Sequence, residues 1–469
     1  MTINFLETIS RHPYKEGRTR IVRPASSMMQ TTRPIILAVS IMMGGCGYAM
    51  ASDSSDQTGA IPSAAVANPP NMREWSGEDG ASGHPLMTAA AIRQAAADFH
   101  GCLDRLWPLA ARHGVTRAVY QKLTAPLTPD LPIMDLMDSQ PEFTKAVWDY
   151  LDILVNDVRV AKGRELFAKY RATFDAVERA YGVDRYIIAA IWGVETNYGT
   201  LGGNRPVLRS TATLACIGRR QRYFRDEFIA ALDILNRGDV KESRMIGSWA
   251  GAFGPTQFMP TAFKRYAVDF DNDGHRDVID SMPDLIASTA NNLKKAGWVS
   301  GQTWGYEVVI PANFNFLLAD QHRSMTIADW ERQGVTRPDG KPFPRSDDLA
   351  FLLVPAGVQG PGFLMLPNFK AIMRYNPAEA YALAIGHLAD RLRGAGPFAQ
   401  AWPRYERVLS RAERLELQHL LERHGFDVGE PDGRLGLKTR DALRDFQARI
   451  GQVPDGFASA AMLERLRGR

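Results

Sequence analysis

Apolar residues recur at three- and four-residue spacing from about Ala91 to Gly114, through Phe143 to Tyr181 and Asp184 to Val194, and again over Gln221 to Asn236 and Pro283 to Gly297. Each stretch predicts a helix. Between Gly301 and Pro367 the pattern shortens to pieces such as Gly305 to Ile310 and Leu349 to Val354, parted by Pro and Gly clusters, which predicts a small β-rich insertion. Helix returns at Ala378 to Arg393, and residues 91–395 read as one mostly helical domain. A linker is expected at 396–410 and a separate small helical unit at 411–469. That unit echoes itself: Leu417-Gln418 precedes Pro431-Asp432-Gly433, and Phe446-Gln447 precedes Pro454-Asp455-Gly456, a helix followed by the same turn twice. Residues 52–90 hold Ser, Asp, Gly, Pro and Ala with few large apolar side chains, so a disordered tether is expected there. The fold class is mainly α, with a β-rich insertion and a C-terminal helical domain.

The chain has 469 residues, which at about 150 residues per domain predicts two or three domains. Its net charge is +4, and residues 1–51, with six Lys/Arg and two Asp/Glu, carry that whole excess. The remainder is neutral, so no electrostatic footprint for nucleic acid exists. Within the leader, Arg33 precedes the apolar run Pro34 to Met43, followed by small residues ending at Ala49-Met50-Ala51. This reads as an export signal over residues 1–51. The run is shorter than the about 20 apolar residues of a spanning helix, so no membrane crossing is expected. Met43-Gly44-Gly45-Cys46 offers an alternative, processing and lipid anchoring at Cys46. After export two cysteines remain, Cys102 and Cys216, either paired in an oxidising compartment or buried as thiols.

Glu195 ends the apolar helix that starts after Asp184, a candidate N-cap. It lies four residues after Ile191, three after Trp192 and seven after Ile188, on an otherwise apolar face. Desolvation there raises a carboxyl's pKa and keeps it protonated near neutrality, as a general acid for glycosidic cleavage must be. The alternative is a structural glutamate paired with Arg219 or Arg220. Gly199, Gly202 and Gly203 follow and suit a tight turn beside a ligand.

Asp269, Asp271 and Asp273 fall at positions 1, 3 and 5 of a loop with Gly274 at position 6 and the backbone carbonyl of His275 at position 7, as in the first half of an EF-hand. Position 12 is Asp280, where the usual loop has a bidentate Glu. A structural Ca2+ is expected, against the alternative of an Asp/Asn/Gly-rich turn without metal. No cofactor is expected for catalysis.

Glu195-Thr-Asn-Tyr-Gly199, the segment Gly247-Ser-Trp-Ala-Gly-Ala-Phe-Gly-Pro-Thr-Gln-Phe-Met-Pro260, and Leu366-Pro-Asn-Phe-Lys-Ala-Ile-Met-Arg-Tyr-Asn376 resemble, in that order, the membrane-bound lytic murein transglycosylase B family. The resemblance spans about Phe99 to Arg391. It implies a lysozyme-like helical core and non-hydrolytic cleavage of the MurNAc-β-1,4-GlcNAc bond of peptidoglycan, leaving 1,6-anhydro-MurNAc ends. It also implies Glu195 as catalytic acid and base, and substrate contacts from Ser248, Gln257, Tyr375, Asn376 and Tyr381. Arg219 and Arg220 match a pair suited to peptide or sugar contacts, and Tyr150 matches a cleft aromatic. Asn292 departs from a tyrosine found in some members, and Asp284 is implied as the ligand closing a lengthened metal loop. Residues Gly425 to Gly433, Gly436, Thr439 to Leu443 and Phe446-Gln447 resemble the small helical peptidoglycan-binding domain of many wall hydrolases.

These resemblances imply a periplasmic enzyme acting as a monomer on glycan strands, its C-terminal domain a second attachment point on an insoluble polymer. Two other readings stand beside this one. A hydrolytic muramidase would need a positioned water or second carboxylate, and an inactive wall-binding scaffold would be favoured by loss of Glu195, which is retained.

Overall fold

In a computed structural model of the chain, residues 74–80, 83–137 and 145–468 are described. The export signal and Cys46 lie outside the described residues. Helices α1 (Ala89–Ala97), α2 (Phe99–Arg112), α3 (Arg117–Thr124) and α4 (Ile133–Met137) lead into α5 (Val147–Leu154), α6 (Asp157–Lys169), α7 (Arg171–Tyr181) and α8 (Arg185–Thr196). A short pair, β1 (Arg205–Pro206) with β2 (Ile246–Gly247), flanks α9 (Val207–Cys216) and α10 (Gln221–Arg237). Then come α11 (Pro260–Tyr266) and α12 (Met282–Lys295).

The α8 helix is buried from Ile187 through Thr196, as its apolar residues on every side require. Asp184 caps it, accepting from the Tyr186 N–H at 2.9 Å. The insertion contributes β3 (Gly305–Val308), β4 (Met325–Thr326), α13 (Ile327–Arg332), β5 (Leu349–Leu353) and β6 (Gly362–Met365), before α14 (Pro367–Met373) and α15 (Glu379–Arg393). Its antiparallel sheet has the order β3-β6-β5-β4, with Leu352 opposite Leu364. Both faces are covered: Phe351, Leu353, Phe363 and Met365 pack into the main core, while Ala350, Leu352, Leu364 and Leu366 close over Trp330 in a smaller one. That two-residue alternation explains strands with no polar face. The α13 helix is too short to show apolar periodicity, although Thr326 and Asp329 form a capping box at its start.

Within the stretch expected to be a tether, residues 74–80 and 83–90 belong to the fold. Trp75 packs on the main core with the Arg93 guanidinium 5.2 Å above its ring, the Ser76 hydroxyl donates to Asp135 at 2.7 Å, and Met87 is buried. Two large apolar side chains in an otherwise small-residue stretch suffice to order it. The linker expected at 396–410 is a bound strap. Phe398 stacks on His387 at 3.8 Å, Glu307 accepts the N–H groups of Ala399 and Gln400 at 2.8 Å, and Arg404 pairs with Asp152. Its aromatic residues find apolar surface that the Gly and Pro content of the stretch conceals.

The C-terminal unit is α16 (Arg411–Arg423), α17 (Leu437–Arg449) and α18 (Ala460–Leu466) around Leu417, Leu421, Leu443, Phe446 and Leu463. The sequence echo has a physical basis. The Gln418 amide oxygen accepts the N–H groups of Asp432 and Gly433, and the Gln447 amide oxygen accepts that of Gly456, so each helix closes the Pro-Asp-Gly turn that follows it.

Cys102 and Cys216 are joined, tying α2 to the end of α9 across 114 residues of sequence. Closing so long a loop restricts the unfolded chain and contributes about 5 kcal/mol on the entropic account. Replacing both cysteines with Ser, or reducing the bond, should lower unfolding free energy by about that amount in denaturant titration, and equal midpoints with and without reductant would refute it.

Candidate active site

The end of α8 is held from three directions. Thr196 donates its hydroxyl to the Pro255 carbonyl at 2.6 Å and accepts the Gly199 N–H at 2.8 Å. Asn197, left-handed at φ 49°, accepts from Arg159, whose guanidinium also donates to the Ile153 and Leu154 carbonyls at the end of α5. Gly193 lets the Tyr198 ring lie against the helix, since a Cβ there would come within 2.7 Å of it. Arg159 carries no sequence signal, because a lone arginine in a charged helix is ordinarily a solvated side chain.

Glu195 is 6% exposed. Among the described residues its hydrogen bond comes from the Tyr381 hydroxyl, which donates to Oε1 at 2.6 Å, while Oε2 is buried without a protein partner. Burial pushes its carboxyl up to about 8, and the Tyr381 bond, which favours the ionised form, pulls the other way. Neither Arg219 nor Arg220 is among the groups that act on it. Arg219 donates to the Met137 carbonyl, and Arg220 lies over the Tyr223 ring at 4.6 Å. Tyr381 is wholly buried on α15, so it supports the carboxyl from behind. An isolated phenol on an apolar helix signals a need for a partner, but not which one.

The segment from Gly247 to Pro260 folds back on itself. The Ser248 hydroxyl accepts the Ala252 N–H at 3.1 Å, a turn contact, and Phe253 pairs with Phe258. Gly203 is needed beside it: at φ +91° a Cβ would sit 2.1 Å from the Gly247 carbonyl oxygen. Gln257, at φ 55°, donates to the Gly202 and Gly254 carbonyls, and Tyr375 donates to the Thr256 carbonyl at 2.6 Å. Gln257, Tyr375 and Asn292 line one narrow cavity. Asn376 is 3% exposed; its oxygen accepts the Ala378 N–H, and its Nδ2 has no partner among the described residues. Tyr150 is buried, and its electrostatic effect reaches Tyr381. A buried acid with a partnerless oxygen is equipped to receive a polar ligand and transfer a proton to it, and the buried amide of Asn376, next in sequence to Tyr375, offers a partnerless donor.

The metal loop brings carboxylate oxygens of Asp269, Asp271 and Asp273 within 4.8 Å of one another, a hard-oxygen donor set that fits Ca2+. Asp284 stands outside that trio. Its oxygens accept the N–H groups of Phe270 and Asp277 at 2.6 and 2.8 Å, so it shapes the loop through the backbone. His275 enters through its N–H, which bonds Asp273, and Asp280 pairs with Arg244.

Residues 98–390 match the family described as transglycosylase SLT domain, and residues 410–466 match that described as putative peptidoglycan binding domain. Membrane-bound lytic murein transglycosylase B of Escherichia coli (strain K12) is 30% identical over 291 residues, covering 60% of this chain and 79% of the relative. The crystal structure of SltB3 from Pseudomonas aeruginosa in complex with NAG-anhNAM-pentapeptide is similar at 45% identity and TM-score 0.76, over 79% of this chain and 99% of that one. Escherichia coli Slt35 in complex with calcium is similar at 27% identity and TM-score 0.53, over 67% of this chain and 95% of that one.

A buried carboxyl with a raised pKa costs stability as pH rises. Glu195 binds its proton more tightly folded than unfolded, so stability is full below the unfolded value of 4.5 and declines until about pH 8. Glu195→Gln removes that decline. Its stability advantage over the wild type, read by urea unfolding, should grow between pH 5 and 8 and then level off; a difference independent of pH would contradict the assignment.

Proposed function

The chain belongs to the transglycosylase SLT family, and from that premise we propose that it cleaves the MurNAc-β-1,4-GlcNAc bond of peptidoglycan without water, with Glu195 as acid and then base. The observation that carries the mechanism is the state of the Glu195 carboxyl: buried, steadied by Tyr381, protonated to about pH 8, with Oε2 free of partners among the described residues. That oxygen delivers its proton to the bridging oxygen as the bond to the anomeric carbon breaks, releasing the GlcNAc 4-hydroxyl. The Glu195 carboxylate then takes the proton of the MurNAc C6 hydroxyl while that oxygen bonds the anomeric carbon. The acid is regenerated and a 1,6-anhydro end results.

A hydrolase of the usual kind sets a second carboxyl across the scissile bond. Among the described residues, the groups that act on the Glu195 carboxyl are its buried surroundings and Tyr381. The substrate's acetamido group and fixed dipoles stabilise the positive centre instead. Asn376, with its unpartnered Nδ2, and Gln257 contact the sugar, Ser248 and Tyr375 shape the wall behind them, and Tyr150 lines the cleft. Arg219 and Arg220 offer cationic contacts to the stem peptide. The C-terminal domain binds glycan strands. Residues 1–51 act as an export leader to the periplasm, with release after Ala51 favoured over a lipid anchor on Cys46. No helix among the described residues is long and apolar enough to cross a membrane.

The direct test is mass spectrometry of soluble products from purified peptidoglycan. Wild type should yield 1,6-anhydro-MurNAc ends and Glu195→Gln none while still binding the wall. Reducing MurNAc ends would establish hydrolysis, and products from the variant would remove Glu195 from the chemistry.

Asp269, Asp271 and Asp273 would hold Ca2+ in a structural role. Ca2+ at a hundred times its dissociation constant should add about 2.7 kcal/mol to unfolding free energy in wild type. The same titration of Asp271→Ala should give no gain, and equal gains in both proteins would place the ion elsewhere.

A further inference from the structure

The sequence reads the C-terminal domain as a tethered second attachment point, yet it is docked on the catalytic domain by contacts that converge on one place. Arg440 of α17 grips both carboxylate oxygens of Glu379, at 3.0 and 2.8 Å, and Gln321 of the insertion also donates to Glu379. The Arg444 guanidinium donates to the Ala319 carbonyl at 2.8 Å, and Asp455, in the second Pro-Asp-Gly turn, accepts the Val358 N–H at 2.9 Å. Phe457 packs with Trp148, Ala356 and Trp402.

Glu379 is the first residue of α15, three after Asn376 and two before Tyr381. The N-cap of α15 is Ala378, which makes no side-chain cap. An uncapped first turn is where a helix frays, and this turn carries the hydroxyl that holds Glu195. Trp148 likewise lies two residues before Tyr150 on α5.

We propose that the C-terminal domain is part of the support of the active site, and that Arg440, by clamping Glu379, is a positioning residue that holds the first turn of α15 so that Tyr381 meets Glu195. The inference rests on Glu195 being the acid. It makes the two domains one catalytic unit: removing the clamp impairs chemistry even on a substrate too short to reach the wall-binding surface. A mere attachment module has no such effect, since attachment raises local concentration and leaves the bound complex unchanged.

The test uses the full chain and a short, soluble, peptide-bearing glycan fragment. Arg440→Ala should lower kcat about tenfold with KM changed by less than about twofold, within the roughly hundredfold that a 1 Å misplacement can cost. The titratable groups facing Glu195 are Tyr381 on α15 and Tyr375 after α14, with Tyr150 of α5 beyond Tyr381. Loss of the Tyr381 bond disfavours the Glu195 carboxylate, so the alkaline limb of the kcat profile should move to higher pH in Arg440→Ala, as in Tyr381→Phe. Combining Arg440→Ala with Glu379→Gln should be no worse than either alone, and Arg440→Glu with Glu379→Arg should restore most of the rate. If Arg440→Ala does not fold, Glu379→Gln and Arg440→Lys carry the same comparison.

An unchanged kcat and alkaline limb, or a loss confined to KM or to insoluble wall, would overturn the clamp. Those results beside an inactive Glu195→Gln would overturn the clamp alone, whereas an active Glu195→Gln would overturn the underlying assignment.

Discussion

Burial of the Glu195 carboxyl, the acid and base of the proposed mechanism, sets the terms for what surrounds it. In water Glu195 would ionise well below neutrality, and as a carboxylate in the core without compensation it would be strongly unfavourable. The fold resolves this by keeping the group protonated, which is the state the first half of the proposed reaction needs. Full satisfaction by donors would have stabilised the carboxylate and defeated the purpose. One donor, Tyr381, and one oxygen without a protein partner are therefore a functional compromise.

Such a compromise demands rigidity, because one hydrogen bond cannot by itself fix a carboxyl. Much of the catalytic domain serves this end. Apolar contacts surround α8, Thr196 ties its last turn to the segment from Gly247 to Pro260, and Arg159 ties Asn197 to α5. Tyr375 fastens the loop before α15 to the same segment through Thr256. The three sequence motifs are thus the ends of one network of backbone carbonyls accepting from side chains, which explains why they lie so far apart in sequence.

Much of this is legible in the amino-acid sequence. Periodicity locates the helices, and the position of Glu195 on an apolar face gives the sign of its pKa shift. What stays hidden depends on distance in space. Nothing in the spacing of Tyr381 shows that it faces Glu195, and nothing distinguishes Arg159 from its solvated neighbours. Asp284 is a metal ligand only as the family resemblance implies it, and its oxygens accept backbone N–H groups, a role that local composition does not encode. Low-complexity stretches mislead in the same way. The few aromatic residues within them, Trp75, Phe398 and Trp402, outweigh many small ones once apolar surface is there to receive them.

The ordered strap changes how the two domains relate. Held by Phe398 on His387 and by Glu307, it has little freedom, so the C-terminal domain does not search a volume on a loose tether. Its orientation is set by Arg440, Arg444 and Asp455 against the insertion and the start of α15. The β-rich insertion thereby gains a reason to exist. It supplies Ala319, Gln321 and Val358 as docking points, with its sheet anchored in the main core by Phe351 and Phe363. On the proposed clamp, local concentration is then only part of what the second domain contributes, because its docking contacts meet the first turn of α15, two residues before Tyr381.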